Sequence, residues 1–456
     1  MKAESFVSYL EALEWLHGLL RFGQKPGLER MHWMLAELEH PERKVSFVHV
    51  AGTNGKGSTC AYLTQVLMEA GYSVGTFTSP YLVDFRERIR MNGQMIPEND
   101  LLALVNELKP LVDRCAAESS YGSPTEFEVI TLLAIMYFAN VARPSVVVWE
   151  TGLGGRLDST NVVFPLISVI TNVGMDHTDV LGHTIEEIAR EKAGIIKPGV
   201  PVVLGDKNEA TVEVIKKIAA QKRSSLYRTG YEFTVEPLAE KAGLDGQSFL
   251  YKSVYRRAHS EYRLQMLGEH QVENAGVALM VIDLLRQFYA YLIEEEEMAK
   301  GLQQTKWPGR MEMVSRYPLV ILDGAHNAEG MKSLESSLAQ LLDDGSSVNL
   351  LLSSLGDKPL TEMANVWQAT DVKLEHIYIT SFDFPRAASA EMLYNQFVLN
   401  GLDSNQLTKI DDWSLFLREW MSDEEKKEKV LVICGSLYFI AQVRAFFPIP
   451  VEEAGE

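Results

Sequence analysis

The sequence predicts an α/β protein: a doubly wound, mainly parallel sheet domain built around a P-loop, followed by a smaller, Rossmann-like α/β domain. Three observations predict it. The stretch Val45–Thr59, VSFVHVAGTNGKGST, runs an apolar strand into a glycine-rich turn carrying one lysine. Short, β-branched, near-continuous apolar runs at Ser145–Trp149 and Leu166–Thr171 alternate with helix-like segments, as parallel strands buried on both faces do. The chain of 456 residues exceeds what one hydrophobic core ordinarily supports, so two domains are expected, at 1–299 and 300–456.

At the N-terminus, Phe6, Leu10, Leu13, Leu16 and Leu20 follow helical spacing and predict an amphipathic helix on the core. This stretch lacks the charged-then-apolar pattern of a leader and any run near 18 apolar residues, so a cytoplasmic protein is expected. Val45–Val50 is the first strand, followed by a helix through about Ala70 and a second strand at Ser73–Thr78. Leu101–Leu111 and Glu126–Ala139 read as helices. Thr184 with Glu187 suits a capping box opening a helix through Ala193, and Pro198-Gly199 punctuates before the strand Pro201–Leu204. Tyr227–Leu264 alternates aromatic and β-branched residues with Gly and charge, as an antiparallel section closing the first domain would. Leu267–Tyr291 is helical, and the acidic run Glu294–Glu297 reads as a solvated helix face. Beyond Lys300–Trp307, strands at Leu319–Leu322, Val348–Leu352, His376–Thr380 and Val430–Cys434 repeat the alternation.

Composition narrows the partners. The formal charge of −19 argues against a general nucleic-acid or anionic-membrane binder, since either needs a basic surface. Any anionic ligand must be met by a local cluster of Lys and Arg. The three cysteines, Cys60, Cys115 and Cys434, are far apart and odd in number, which fits a reducing compartment better than a disulfide framework or zinc site.

The glycine-rich turn is built for polyphosphate. Gly52, Gly55 and Gly57 let backbone N–H groups approach phosphate oxygens, Lys56 adds a point charge, and the following helix aims its N-terminal dipole at the anion. The turn departs from the general P-loop pattern: Val50 stands where that pattern has its first glycine, and Gly57 separates Lys56 from Ser58 and Thr59. Three further groups fall at strand ends: Ser79 in FTSPY, Glu150 closing VVVWE, and His177 in TNVGMDH. Ligands bind at the carboxyl edge of open α/β sheets, and a hydroxyl, a carboxylate and an imidazole leave room for waters and phosphate oxygens around magnesium. Imidazole is an unusual magnesium ligand, so on residue chemistry alone His177 is equally a strand-end polar group. Lys192, in EIAREKAGIIK, lies on a largely apolar helix segment where a solvated surface role fits poorly.

GTNGKGST, TSPYL, Glu150 with TGLGGRLDSTN, TNVGMDHTDVLG, EKAGIIK, GEHQVENA, WPGRME and DGAHN occur in that order, over nearly the whole chain. Together they resemble the folylpolyglutamate synthase/dihydrofolate synthase family of the Mur ligase superfamily, whose departure from the strict P-loop is the same. The resemblance implies an ATP-dependent amide ligase that activates a carboxyl as an acyl phosphate and joins it to L-glutamate. The acceptor would be the γ-carboxyl of tetrahydrofolate or the carboxyl of dihydropteroate. By that resemblance Thr53, Asn54, Gly55, Lys56, Gly57, Ser58, Asn274, Arg310 and Asp323 would contact ATP. Ser79, Glu150 and His177 would be magnesium ligands, and Lys192 would be carbamylated to help hold a second magnesium. His326 would lie near the glutamate site and accept its ammonium proton, or else serve as a structural partner of Asp323. Folate contacts would come from Gly27, Leu28, Arg30, Tyr81, Leu82 and Phe127. Arg86, Arg88 and Arg90 alternate along an apparently extended run, either a solvated strand face or a counter to a glutamyl tail.

The expected partners are therefore ATP, a folate or dihydropteroate and L-glutamate, with Mg²⁺ as cofactor, in a monomer with no nucleic-acid or membrane partner. A muropeptide-type amino-acid ligase would need a further N-terminal domain, for which the roughly 50 residues before the turn leave no space. A non-ligase P-loop NTPase switch explains the turn but neither DGAHN nor Arg310.

Overall fold

A computed structural model describes residues 5–22, 27–342, 346–358 and 360–447. The chain forms two compact units. The first takes the chain up to Glu236, together with Leu250–Tyr262 and Glu273–Thr305; the second takes Pro237–Phe249, Arg263–Val272 and the chain from Lys306 on. The expectation was one cut at 299/300. The last crossing instead falls between Thr305 and Lys306, and two earlier segments join the second unit.

The first unit is organised by strands β1 (Phe47–Ala51), β2 (Val74–Phe77), β3 (Ile89–Met91), β4 (Gln94–Met95), β5 (Val146–Glu150), β6 (Ile167–Ile170), β7 (Val202–Leu204) and β8 (Leu226–Arg228). Their order is β4-β3-β2-β5-β1-β6-β7-β8. The six from β2 to β8 in that order are parallel, and β3 and β4 add an antiparallel edge. Every residue of β1, β2, β5, β6 and β7 is buried, because helices cover both faces, and this is why these strands read as continuous apolar runs. The chain leaves β1 for β2 on one side and for β6 to β8 on the other. The carboxyl ends of β5, β1 and β6 therefore flank a topological switch point.

Local chemistry explains where helices start. Lys56–Glu69 opens directly from the turn, with Gly55 as its left-handed N-cap. Thr125 and Glu128 form a reciprocal capping box before Glu126–Met136, which continues as a π-helical turn, Tyr137–Ala142, rather than as α-helix to Ala139. At Ile185–Ala193 only half the expected box forms: the Thr184 hydroxyl accepts the Glu187 N–H, but the Glu187 carboxylate turns to the His183 N–H at 2.7 Å. The N-terminal helix, Tyr9–Gly18, buries Ala12 and Leu16 as expected, whereas Leu10 and Leu20 are 67% and 59% exposed. Arg86 and Arg88 are not on a strand. Asp84 caps a 3-10 turn at Phe85–Arg88, and the charges are paired: Arg86 with Asp84 at 2.8 Å, and Arg90 with Glu87 at 3.3 Å. The acidic run Glu294–Glu297 caps the helix Glu295–Gln304; its residues are largely exposed, but Glu295 pairs with Arg256 at 2.7 Å.

Strands β9 (Phe233–Gly243), β10 (Gly246–Ser253) and β11 (Ser260–Leu264) make a three-stranded sheet in the order β11-β10-β9. They do not simply close the first unit, since Pro237–Phe249 belongs to the second.

The second unit carries β12 (Glu312–Arg316), β13 (Leu319–Leu322), β14 (Val348–Leu352), β15 (Leu374–Thr380), β16 (Leu407–Ile410) and β17 (Val430–Cys434), ordered β12-β13-β17-β14-β15-β16. All pairs are parallel except β12 with β13. Its core is built from β13, β14 and β17 with Leu334, Leu338, Met363, Trp367 and Phe397. The edge strands β12 and β16 are mostly half-exposed or exposed and carry no apolar run, which is why the sequence pattern did not reveal them.

Candidate active site

The glycine-rich turn leaves β1 at the switch point and is held from its sides. The Thr53 N–H donates to the Asn172 carbonyl at 3.0 Å, and the Asn54 N–H to the Asn172 side-chain oxygen at 2.8 Å. The Thr171 hydroxyl donates to the Asn54 carbonyl at 2.6 Å. Thr53 also exchanges bonds with Gly174, and Val173 N–H donates to Asp206 at 2.8 Å. The TNVG segment after β6 is thus a brace for the turn. Gly55 has φ +80° with the Asn274 amide packed where a Cβ would stand, so any other residue would be strained there. That contact also places Asn274 beside the turn.

Lys56 is half-buried, and its ammonium donates to the Gly52 and Thr53 carbonyls at 3.1 and 3.2 Å. Behind it, the Ser58 and Thr59 hydroxyls are buried and find no partner among protein atoms. Buried polar groups are nearly always satisfied, so two orphaned hydroxyls at a helix N-terminus fit a ligand rich in oxygen.

Glu150 ends β5 in register with Val50 and is 3% exposed. Its Oε2 accepts the Ser79 N–H at 3.1 Å, so two of the three expected metal ligands meet. The neighbouring Thr151 hydroxyl is also buried without a protein partner. Burial pushes the Cys60 thiol pKa well up; the Glu150 charge adds to the rise and Lys56 opposes it, so both charges converge on one point beneath the turn. His177 is placed differently. It caps the short helix Thr178–Leu181 in a left-handed conformation, its ring is 46% exposed, and its Nε2 lies 3.9 Å from Asp176. Among the described residues, no group of three or more His, Cys, Asp or Glu is arranged for a metal ion. The expected set contains only two such residues, the third being Ser79.

Lys192 is 2% exposed in the last turn of Ile185–Ala193. The GLGGR loop after Glu150 is pressed against it: a Cβ on Gly155 would stand 2.8 Å from the Glu191 and Lys192 carbonyl oxygens. Asn161 Nδ2 bridges the Arg156 and Gly194 carbonyls at 3.0 Å each. Asp158, unremarked in the sequence, anchors that loop by accepting the Leu153 and Thr160 N–H groups at 2.7 and 3.0 Å, and burial raises its pKa. The Thr160 hydroxyl in turn meets His49 Nε2 at 3.0 Å.

Of the expected folate contacts, Gly27 is buried and Leu28 half-buried at the start of the helix Glu29–Glu37. Tyr81 lies under the Arg88 guanidinium, 5.1 Å from ring centre, and Leu82 N–H donates to Glu87. Phe127 packs 6.0 Å from Phe77. Arg30 is engaged inside the fold: its Nε donates to both Glu128 oxygens at 2.9 and 3.0 Å, with the two side chains 8% and 2% exposed.

In the second unit, Asp323 is buried and accepts the Met311 and Ala325 N–H groups at 2.8 Å each. Together with the Gly324 N–H donating to Gly309, this clamps the Arg310 turn onto the end of β13. Burial raises the Asp323 pKa, and Arg310 opposes the rise. His326 Nδ1 donates to the Gly324 carbonyl at 2.7 Å, which puts the lone pair of the neutral ring on Nε2. His270, also unremarked, is held neutral with a pKa lowered to about 4, by burial first and then by the Arg310 charge.

Two family models match the chain: the Mur ligase middle domain over residues 50–282 and the Mur ligase glutamate ligase domain over 309–437. The dihydrofolate synthase/folylpolyglutamate synthase of Bacillus subtilis is 41% identical over 439 residues, covering 96% of this chain and 99% of its own. The folylpolyglutamate synthase of Lacticaseibacillus casei is 32% identical, covering 96% and 98%. Among solved structures, folylpolyglutamate synthase from Thermotoga maritima is 34% identical and superposes with a TM-score of 0.81 over 96% of both chains. Escherichia coli FolC in complex with DHPP and ADP is 30% identical, with a TM-score of 0.82 over 95% of this chain and 97% of its own. The chain belongs to the Mur ligase family, in the branch of the folylpolyglutamate and dihydrofolate synthases.

Proposed function

We propose that this chain is an ATP-dependent amide ligase that adds L-glutamate to the γ-carboxyl of tetrahydrofolate and to dihydropteroate. One observation carries the reading at the level of chemistry. A braced glycine turn with a lysine and orphaned hydroxyls sits at the same sheet edge as a buried carboxylate, in a chain 41% identical to the dihydrofolate synthase/folylpolyglutamate synthase of Bacillus subtilis.

The acceptor carboxylate oxygen attacks the γ-phosphorus of ATP; the bond to the bridging oxygen breaks, ADP leaves, and an acyl phosphate forms. The glutamate nitrogen then attacks the acyl carbon, the C–N bond forms and phosphate departs. Thr53, Asn54, Gly55, Lys56, Gly57, Ser58, Asn274, Arg310 and Asp323 would contact ATP. Lys56 and Arg310 offset the repulsion between carboxylate and γ-phosphate. His326 Nε2 accepts the proton that the glutamate ammonium must lose before attack. Ser79, Glu150 and His177 would hold Mg²⁺, which supplies charge neutralisation of the triphosphate. The Ser79 N–H orients the Glu150 carboxylate while its oxygens retain lone-pair capacity, so the pair fits that ion. Lys192 would react at Nζ with carbon dioxide, losing a proton and becoming a carbamate anion that helps hold a second Mg²⁺. Gly27, Leu28, Arg30, Tyr81, Leu82 and Phe127 are the folate-facing candidates, Arg30 being paired with Glu128.

A cytoplasmic monomer is proposed, with no nucleic-acid or membrane partner. The charge of −19, three free buried cysteines, and the lack of any membrane-length apolar helix among the described residues support it. The test incubates the full chain with ATP, Mg²⁺ and L-glutamate plus either dihydropteroate or tetrahydrofolate. ADP release that requires both glutamate and the acid is expected; hydrolysis indifferent to both would overturn the ligase.

A further inference from the structure

A cavity of about 400 Å³ opens in the first unit, lined by His32, His40, Glu42, Val45, Val162 and Phe164, with Arg43 at its edge. It lies at the amino end of β1, whereas the phosphate turn leaves the carboxyl end, roughly 20 Å away at 3.3 Å per residue. It belongs to no part of the ligase site described above.

Glu42 is the reason to read this cavity as a site. The residue is 7% exposed, and its carboxylate is only half used. Oε1 is met by His40 Nδ1 at 2.9 Å and lies 3.6 Å from Arg43 Nε, but Oε2 is buried with no partner among protein atoms. A carboxylate oxygen withdrawn from bulk water and left without a donor is costly, and natural structures seldom keep one without a ligand or ordered water. The two residues before Pro41, Glu39 and His40, both take left-handed φ values of 59° and 58°, which turns the chain so that His40 and Glu42 line one cavity.

The lining brings a buried carboxylate, Glu42, together with the imidazoles of His32 and His40, where a primary ammonium with three N–H donors finds acceptors. The Arg43 guanidinium is 72% exposed at the rim and suits a carboxylate. Val45, Val162 and the 65%-exposed ring of Phe164 supply an apolar floor.

We propose that this cavity binds the zwitterion of an apolar α-amino acid, with the ammonium on Glu42, the carboxylate on Arg43 and the side chain on Val45, Val162 and Phe164. The ligand is neither the nucleotide nor the acidic amino acid of the ligase reaction, and the site is independent of turnover.

The test is isothermal titration of the full chain with L-leucine, beside L-leucinamide, which lacks the carboxylate, and 4-methylpentanoate, which lacks the ammonium. Saturable binding of one L-leucine per chain at millimolar concentration or below is expected, unchanged in Lys56→Ala. Arg43→Ala, at an exposed position that does not threaten folding, should weaken L-leucine at least tenfold and leave L-leucinamide unaffected. Glu42→Gln should abolish both. No saturable heat with L-leucine, equal affinity in Arg43→Ala, or a crystal soaked in L-leucine showing only a water on Glu42 Oε2 would each overturn the proposal.

Discussion

Replacing Lys56 by alanine separates what this lysine does for the fold from what it does for catalysis. Its ammonium makes two hydrogen bonds to turn carbonyls at 3.1 and 3.2 Å from a half-buried position. Each such bond contributes about 1 kcal/mol net, because water competes for both partners. The turn keeps its other supports at Asn172, Thr171 and Gly174, so the stability loss is about 1–2 kcal/mol. In the proposed reaction the lysine would face charge that develops on the transferred phosphoryl group, where one well-placed donor typically supplies about 3 kcal/mol. At 1.36 kcal/mol per decade, that is about a 160-fold loss in rate. The assay is coupled ADP release at saturating folate and glutamate, with ATP varied, alongside urea unfolding of both proteins. A loss concentrated in kcat with a small shift in urea midpoint is expected; a loss confined to KM would mean uniform binding of ground and transition states. The reasoning fails if kcat/KM for ATP stays within about threefold of the parent, since the electrostatic argument requires a far larger change.

Three further outcomes are expected. Lys192→Ala should lose activity and recover part of it with formate or acetate, small anions that replace the carbamate; full activity without additive would remove the carbamate from the mechanism. Arg30→Ala should destabilise the first unit by about 3–5 kcal/mol in denaturant unfolding, because it strands Glu128 at 2% exposure. A loss below about 1 kcal/mol would show that the pair is not holding the fold. His49 is fully buried with its pKa lowered to about 3, chiefly by burial and then by Lys197. The unfolded chain therefore takes up that proton near pH 6.5, while the folded chain resists it. Stability from this group is complete above pH 6.5 and falls as pH drops toward 3, by about 1.4 kcal/mol per pH unit. His49→Gln should flatten the decline of the unfolding midpoint between pH 6 and 4; an unchanged slope would show that His49 does not set it.

The sequence by itself determined the architecture wherever residues are buried on both faces. β1, β5, β6, β14 and β17 were legible because a strand enclosed by helices must be apolar at every position. It also determined the phosphate turn, since glycine is the residue that best suits the left-handed conformation and the close approach found at Gly55. Tertiary structure decided what depends on partners distant in the chain. Nothing local in the sequence announces that Arg30 is paired with Glu128, 98 residues away. Arg86 and Arg88 read as part of an extended face until Asp84 caps a 3-10 turn at Phe85–Arg88, while Arg90 does lie on β3. The edge strands β12 and β16 and the half-used carboxylate of Glu42 left no periodic trace, because edges and cavities are set by what neighbouring elements fail to cover. Local pattern records burial and backbone conformation; which polar group satisfies which is a property of the assembled interior alone.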